Sequence, residues 1–214
     1  MSSNFRHKIP FQTNRIAAII LAAGASTRLG RPKQLLTVDG KTLLARTAEQ
    51  ALFAKFSEVV VVLGAGANSI RQSIRYLPVQ IVENPHWATG MGSSIACGVR
   101  FLEKNKRSPE GVVLMTCDQP FLTSEVLVTL VEKWRETRAG IVASQYEKGF
   151  GTPAFFYQNF FDSLKKLTEK QGAKKIMTKH SKEMAFVPFP MGAFDIDTEK
   201  DFEQLKQWKE KQPR

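Results

Sequence analysis

The residues that stand out chemically form one short run, Leu21-Ala22-Ala23-Gly24-Ala25-Ser26-Thr27-Arg28-Leu29-Gly30-Arg31-Pro32-Lys33. Gly24 and Gly30 let the backbone turn and bring its N–H groups near an anion, Ser26 and Thr27 add hydroxyls, and Arg28 and Lys33 add positive charge. Together these groups suit a triphosphate. The run is not a P-loop, which needs lysine directly after its second glycine and Ser or Thr after that. Here Lys33 lies three residues beyond Gly30 and Gln34 follows it. The dinucleotide fingerprint G-x-G-x-x-G has only a partial echo, at Gly64-Ala65-Gly66, where Ser69 takes the place of the third glycine. That echo reads more simply as a tight turn.

Carboxylates form the complementary set. Asp118 follows the apolar run Gly111–Thr116 in Cys117-Asp118-Gln119-Pro120, where it is placed to hold a metal ion or to form a turn. Asp195 and Asp197, in Asp195-Ile196-Asp197-Thr198, are two apart, so in extended backbone both face one way. They equally suit the start of a helix. A third segment, Asn84-Pro85-His86-Trp87-Ala88-Thr89-Gly90-Met91-Gly92-Ser93-Ser94, makes a polar concavity before a helix. Gly92 to Ala96 nearly matches the hydrolase elbow G-x-S-x-G, but no buried strand precedes it and only His180 follows as a base. Three scattered histidines and two cysteines do not make a zinc site.

The elements that must position these groups follow from the hydrophobic pattern. Near-continuous apolar runs at Arg15–Leu21, Glu58–Leu63, Val79–Val82, Gly111–Thr116 and Gly140–Ser144 read as strands covered on both faces. Helical patterns fall between them, over Thr42–Ala54, Ala67–Arg75, Met91–Glu103 and Thr123–Thr137. Alternating strand and helix predicts an α/β fold, a three-layer α/β/α sandwich around a mostly parallel, Rossmann-like sheet. The second half is less regular, with strands over Pro153–Tyr157 and Ala185–Pro188 and helices over Gln158–Thr168 and Gly172–Lys179. A last helix, Glu199–Trp208, has Thr198 as its N-cap. The triphosphate loop then lies at the carboxyl end of the first strand, where open α/β sheets bind ligands.

Bulk properties narrow the function classes. The 214 residues suit one domain, residues 15–214, after a polar tail Met1–Asn14 with no signal-peptide core. Two cysteines are too few for a disulfide framework, so reduced thiols and a cytoplasmic setting are expected. No apolar stretch is long enough for a membrane span. The net charge of +11 is spread over helix-like segments and both ends without an aromatic-interleaved stripe. It reads as a solvated surface that attracts polyanionic small molecules rather than as a nucleic-acid face.

The order of L-A-A-G-x-S-x-R-L-G-x-P-K-Q-L-L (21–36), N-P-x-W-x-x-G-M-G-S-S-I (84–95), C-D-Q-P (117–120), G-x-P-A-x-F (151–156) and D-I-D-T (195–198) resembles the MobA-like nucleotidyltransferases. The closest likeness is to the molybdenum cofactor cytidylyltransferase branch, which joins CMP from CTP to molybdopterin and releases pyrophosphate. The resemblance implies that Gly24, Arg28 and Lys33 hold the triphosphate, with Lys33, Arg28 and Asp118 as the catalytic set. It further implies that Asp118 and Asp197 bind Mg²⁺. Leu21, Ala22, Ala23, Gly24 and Ser26, with Gly90, Gly92, Ser93 and Ser94, would line the nucleotide. Ala23, Gln34-Leu35-Leu36 and Gln119 favour the cytidylyl branch over guanylyltransferase relatives, which tend to carry L-A-G-G. The implied partners are CTP, a molybdopterin-type acceptor and a recipient molybdoenzyme or its chaperone. Relatives often show G-D-x-G-A-[RK] late in the chain, whereas Glu169 to Lys174 keeps only G-A-K.

Overall fold

The computed structural model describes residues 13–104, 108–167 and 172–211. The expected tail therefore lies outside the described residues up to Gln12, and Thr13 and Asn14 already belong to the first strand. In chain order the elements are β1 (Thr13–Ala22), a two-residue pair β2 (Thr37–Val38) and β3 (Lys41–Thr42), α1 (Leu43–Phe53), β4 (Phe56–Leu63), α2 (Ala67–Ile74), β5 (Gln80–Glu83) and α3 (Met91–Lys104). There follow β6 (Gly111–Thr116), α4 (Ser124–Thr137), β7 (Ile141–Gln145), β8 (Phe150–Tyr157), α5 (Phe161–Lys165), α6 (Lys174–Lys179), β9 (Met184–Pro188) and α7 (Glu199–Glu210).

The main sheet has seven strands in the order β5-β4-β1-β6-β8-β7-β9. All run parallel except β8, which is antiparallel to both of its neighbours. The expected three-layer, mostly parallel sandwich is thus the observed fold. Strand alternation shows why both faces are covered. Ile16, Ala18, Ile20 and Ala22 of β1 pack with α1, α2 and α4, while Ala17, Ile19 and Leu21 pack with α3, α5 and α6. Every one of these seven β1 side chains is buried, which accounts for a run without polar alternation.

Strand order reverses beside β1: the chain steps outward through β4 and β5, then returns to place β6 on the other side. Leu21 lies opposite Thr116 at the carboxyl ends of β1 and β6. The loop after β1 and the Cys117-Asp118 turn therefore leave the sheet side by side, at the crevice where such sheets bind ligands.

A third, smaller cluster completes the frame. Leu29, Leu36, Val38 and Leu43 pack with Ile196, Phe202 and Leu205, joining the first loop to the start of α7. The β2–β3 pair, absent from the expectations, contributes Val38. It turns at Asp39-Gly40, both with positive φ (52° and 76°), the pairing that a two-residue hairpin demands. Thr198 caps α7 as expected, and Asp201 completes a reciprocal capping box with it.

Candidate active site

Leu29 and Gly30 donate backbone N–H bonds to the Ser26 carbonyl, and Ser26 itself takes a positive φ of 54°. The tight turn places Arg28 and Lys33 on the side facing the sheet end. Gln34 holds it there. Its buried amide nitrogen donates to the carbonyls of Ala22 (2.8 Å) and Gly24 (2.9 Å). The Ser26 hydroxyl accepts from the Lys33 backbone N–H at 3.1 Å, so it serves the turn itself. From behind, Ala65 N–H donates to the Ala23 carbonyl. Gly64 sits so close that a Cβ there would lie 2.5 Å from Trp87 Cβ and 2.7 Å from that carbonyl. The Gly64–Gly66 turn is thus packed against the loop and Trp87.

Three motifs far apart in sequence meet at Lys33. Its ammonium lies 2.5 Å from Asp118 Oδ2 and 2.9 Å from Asp197 Oδ1. Arg28 reaches the other oxygen of Asp197 at 2.7 Å. The Ile196 N–H bond to the Asp118 carbonyl ties the two acidic segments together. Burial opposes the Lys33 charge, but the charge and hydrogen bond of Asp118, then the bond to Asp197, outweigh it and raise the ammonium above its ordinary value. Burial likewise opposes ionisation of Asp197, yet Lys33 and then Arg28 hold its carboxyl below the usual range. Asp195 is different. It is exposed along the cleft rim, but protein walls displace part of its water. That loss, with the negative charges of Asp118 and Asp197, pushes it up to about 7.

The cleft has two halves that share Leu21, Lys33, Met91, Thr116 and Asp118. One, of about 300 Å³, is walled by Ala23, Gly24, Ala25, Trp87, Ala88, Gly90 and Ser94. The other, of about 410 Å³, is walled by Arg28, Tyr146, Phe150, Lys174, Asp195 and Asp197 among others. Of the residues singled out from sequence, Leu21, Ala23, Gly24, Lys33, Gly90, Ser94 and Asp118 line the first half. Arg28 and Asp197 line the second, which Lys33 and Asp118 share. Ala22 and Gly92 are buried behind the wall. Ser93 faces a separate groove on the far side of α3. Asn84, the first residue of the 84–95 motif, explains the serine pair: its amide nitrogen bonds both hydroxyls, at 2.8 and 3.0 Å.

A divalent cation finds a suitable donor set at Asp118 and Asp197. Asp118 Oδ1 is buried without a hydrogen-bond partner among the described residues, and the site already gathers two carboxylates around one cationic group. Among the described residues no cluster of three or more His, Cys, Asp or Glu side chains is arranged for a metal. Two carboxylates completed by phosphate oxygens and water is the habit of Mg²⁺.

A profile of MobA-like NTP transferase domains matches residues 18–184. The chain belongs to the MobA-like NTP transferase family. Nicotine blue oxidoreductase of Paenarthrobacter nicotinovorans is 36% identical over 129 residues, 60% of this chain and 61% of that protein. The match thus spans about three-fifths of that relative's length. The crystal structure of Rv0371c from Mycobacterium tuberculosis H37Rv superposes with a TM-score of 0.78 at 27% identity, over 92% of this chain and 100% of that one. The same mycobacterial protein in complex with manganese superposes with a TM-score of 0.73 at 26% identity, over 90% and 98% of the two chains. Family membership meets the resemblance drawn from the five motifs. Among the described residues no helix is long and apolar enough to cross a membrane.

Proposed function

We propose that the protein is a Mg²⁺-dependent nucleotidyltransferase that transfers CMP from CTP to molybdopterin and releases pyrophosphate. The observation that carries the transferase reading is the meeting of Arg28 and Lys33 with Asp118 and Asp197 at the strand-order switch. Cations for a triphosphate and carboxylates for its metal converge on the boundary between two half-clefts. The half beside Ala23 and Gly24 has room for the nucleoside, and the half beside Tyr146 and Phe150 for the acceptor. The manganese complex of the mycobacterial protein supports a divalent metal. Cytidine and molybdopterin are favoured by the motif resemblance, in which Ala23, Gln34-Leu35-Leu36 and Gln119 point to the cytidylyl branch.

In this reading the backbone of Ala23 to Ala25 frames the donor, and Arg28 and Lys33 orient and neutralise its phosphates. Asp118 and Asp197 would hold Mg²⁺, which when bound would offset the charge on the departing pyrophosphate. The acceptor phosphate attacks the α-phosphorus in line, the bond to the β-phosphate oxygen breaks, and pyrophosphate carries away the electron pair. Positioning and charge neutralisation supply the rate, so no covalent enzyme intermediate forms.

The redox activity in the nicotine blue relative's name poses a second reading. It finds little support at the Gly64–Gly66 turn, which is closed by Trp87 and the Ala23 carbonyl. Thermal shifts with CTP, GTP, ATP, UTP and NADPH, each with Mg²⁺, separate the readings. The decisive assay is pyrophosphate release from each nucleotide, with and without a molybdopterin-type acceptor. Asp118→Ala should fold normally and lower turnover by about 100-fold or more, the scale of losing one key electrostatic group. Release confined to GTP would overturn the cytidylyl assignment, ligand binding without release would make the protein a cofactor carrier, and unchanged turnover in Asp118→Ala would overturn the metal site.

A further inference from the structure

The cleft holds a connected set of ion pairs. Lys33 Nζ lies within 2.9 Å of oxygens from both Asp118 and Asp197, so the ammonium stands where a cation shared by those carboxylates must stand. Arg28 takes the remaining oxygen of Asp197. The two cations suited to a triphosphate are therefore engaged by the two carboxylates suited to a metal. Only 17% of the Lys33 side chain is exposed, so its charge has little water to fall back on, and breaking such a pair without replacement is costly.

The backbone beneath Lys33 is fixed. Its N–H is bound by Ser26, and the next residue, Gln34, is clamped to the carbonyls of Ala22 and Gly24. What remains mobile is the four-carbon stem, which can swing the ammonium between partners on either side. A metal arriving alone strands Lys33, and a triphosphate arriving alone strands Asp118 and Asp197. Arriving together, they exchange every pair for a new one.

We propose that Lys33 is a positioning residue that holds the cation place between Asp118 and Asp197, so that divalent metal and triphosphate bind the protein as a coupled pair. This rests on the metal site of the proposed function and adds to it a thermodynamic role for one side chain. Coupling is reciprocal: each ligand strengthens the other on the protein beyond their mutual affinity in solution.

The test uses the full chain and reads metal binding rather than turnover. Mn²⁺ is titrated without nucleotide and followed by the electron paramagnetic resonance signal of the free ion, for wild type, Lys33→Met and Lys33→Arg. Lys33→Met should bind Mn²⁺ alone at least about fivefold more tightly than wild type, within the usual range for linked sites. Lys33→Arg, which keeps a cation between the carboxylates, should stay as weak as wild type. The cooperativity between Mn²⁺ and tripolyphosphate, corrected for their complex in solution, should shrink in Lys33→Met. Unchanged or weaker Mn²⁺ binding in Lys33→Met, with binding lost in Asp118→Asn, overturns the exchange and leaves the metal site standing. Mn²⁺ binding that survives Asp118→Asn overturns the metal site and the exchange with it. If Lys33→Met does not fold, Lys33→Gln, a neutral donor of similar reach, takes its place with the same expected tightening.

Discussion

Gln34 sits behind the loop and lines neither half of the cleft. Its amide answers the carbonyls of Ala22 and Gly24, the two places where the loop turns away from β1. In Gln34→Ala the buried Ala22 carbonyl loses that partner, at a cost of about 1–3 kcal/mol. Chemical denaturation should show that loss, and nucleotide affinity should fall with it because the loop is no longer pinned. Stability lost with affinity intact would mean that the clamp serves the fold alone. Asp195 offers a test of electrostatics at the same scale. Its pKa of about 7 in the folded protein lies above the value of roughly 3.9 expected for an unfolded chain. Between those values the folded state keeps a proton that the unfolded chain releases. The stability from this group is therefore fullest below about pH 4 and is lost as pH rises through 7. Urea midpoints at pH 5, 6, 7 and 8 should fall toward pH 7 more steeply in wild type than in Asp195→Asn, and parallel curves would refute the shift.

At the scale of elements, the site is an arrangement of strand ends and helix starts. Thr198 and Asp201 cap α7 reciprocally, and Asp201 also accepts from the Asp197 N–H. The cap therefore fixes the backbone of a cleft carboxylate. Thr198→Ala should lower stability by about 1 kcal/mol and weaken metal binding, with an unchanged denaturant slope showing that the fold itself survives. The strands that frame the site were legible because burial on both faces leaves long apolar runs, as in β1, β4 and β6. The N-cap at Thr198 was legible from its chemistry. The reversed direction of β8 was not, since a buried strand reads alike in either direction. The β2–β3 hairpin carried a clear signal, Asp39-Gly40, but its strands of two residues each are too short to show alternation. The candidate residues themselves were legible as motifs, whereas their meeting at Lys33 depends on pairing between β1 and β6 and on the Leu29–Ile196 cluster. Gln34 and Asn84 were legible as members of their motifs, but their supporting bonds were not, because a buried amide's partners have no distinctive spacing.

For the molecule as a whole, the net charge of +11 has a kinetic consequence that the ion-paired cleft sharpens. Arg28 and Lys33 are neutralised locally by Asp118 and Asp197, so the attraction felt by a distant triphosphate comes from the surrounding basic surface. Lys174 at the cleft edge and the exposed lysines of α6 and α7 extend that field. Surface fields of this kind raise encounter rates and are screened by salt, with a Debye length of about 10 Å at 0.1 M. Contacts inside the cleft are screened far less. Raising salt from 0.05 to 0.5 M should therefore slow association of a fluorescent CTP analogue by about tenfold while changing its dissociation much less. Stopped-flow mixing resolves the two rates. A salt effect carried mainly by dissociation would place the dominant charges inside the site, and would mean that the dispersed basic surface does not steer the nucleotide.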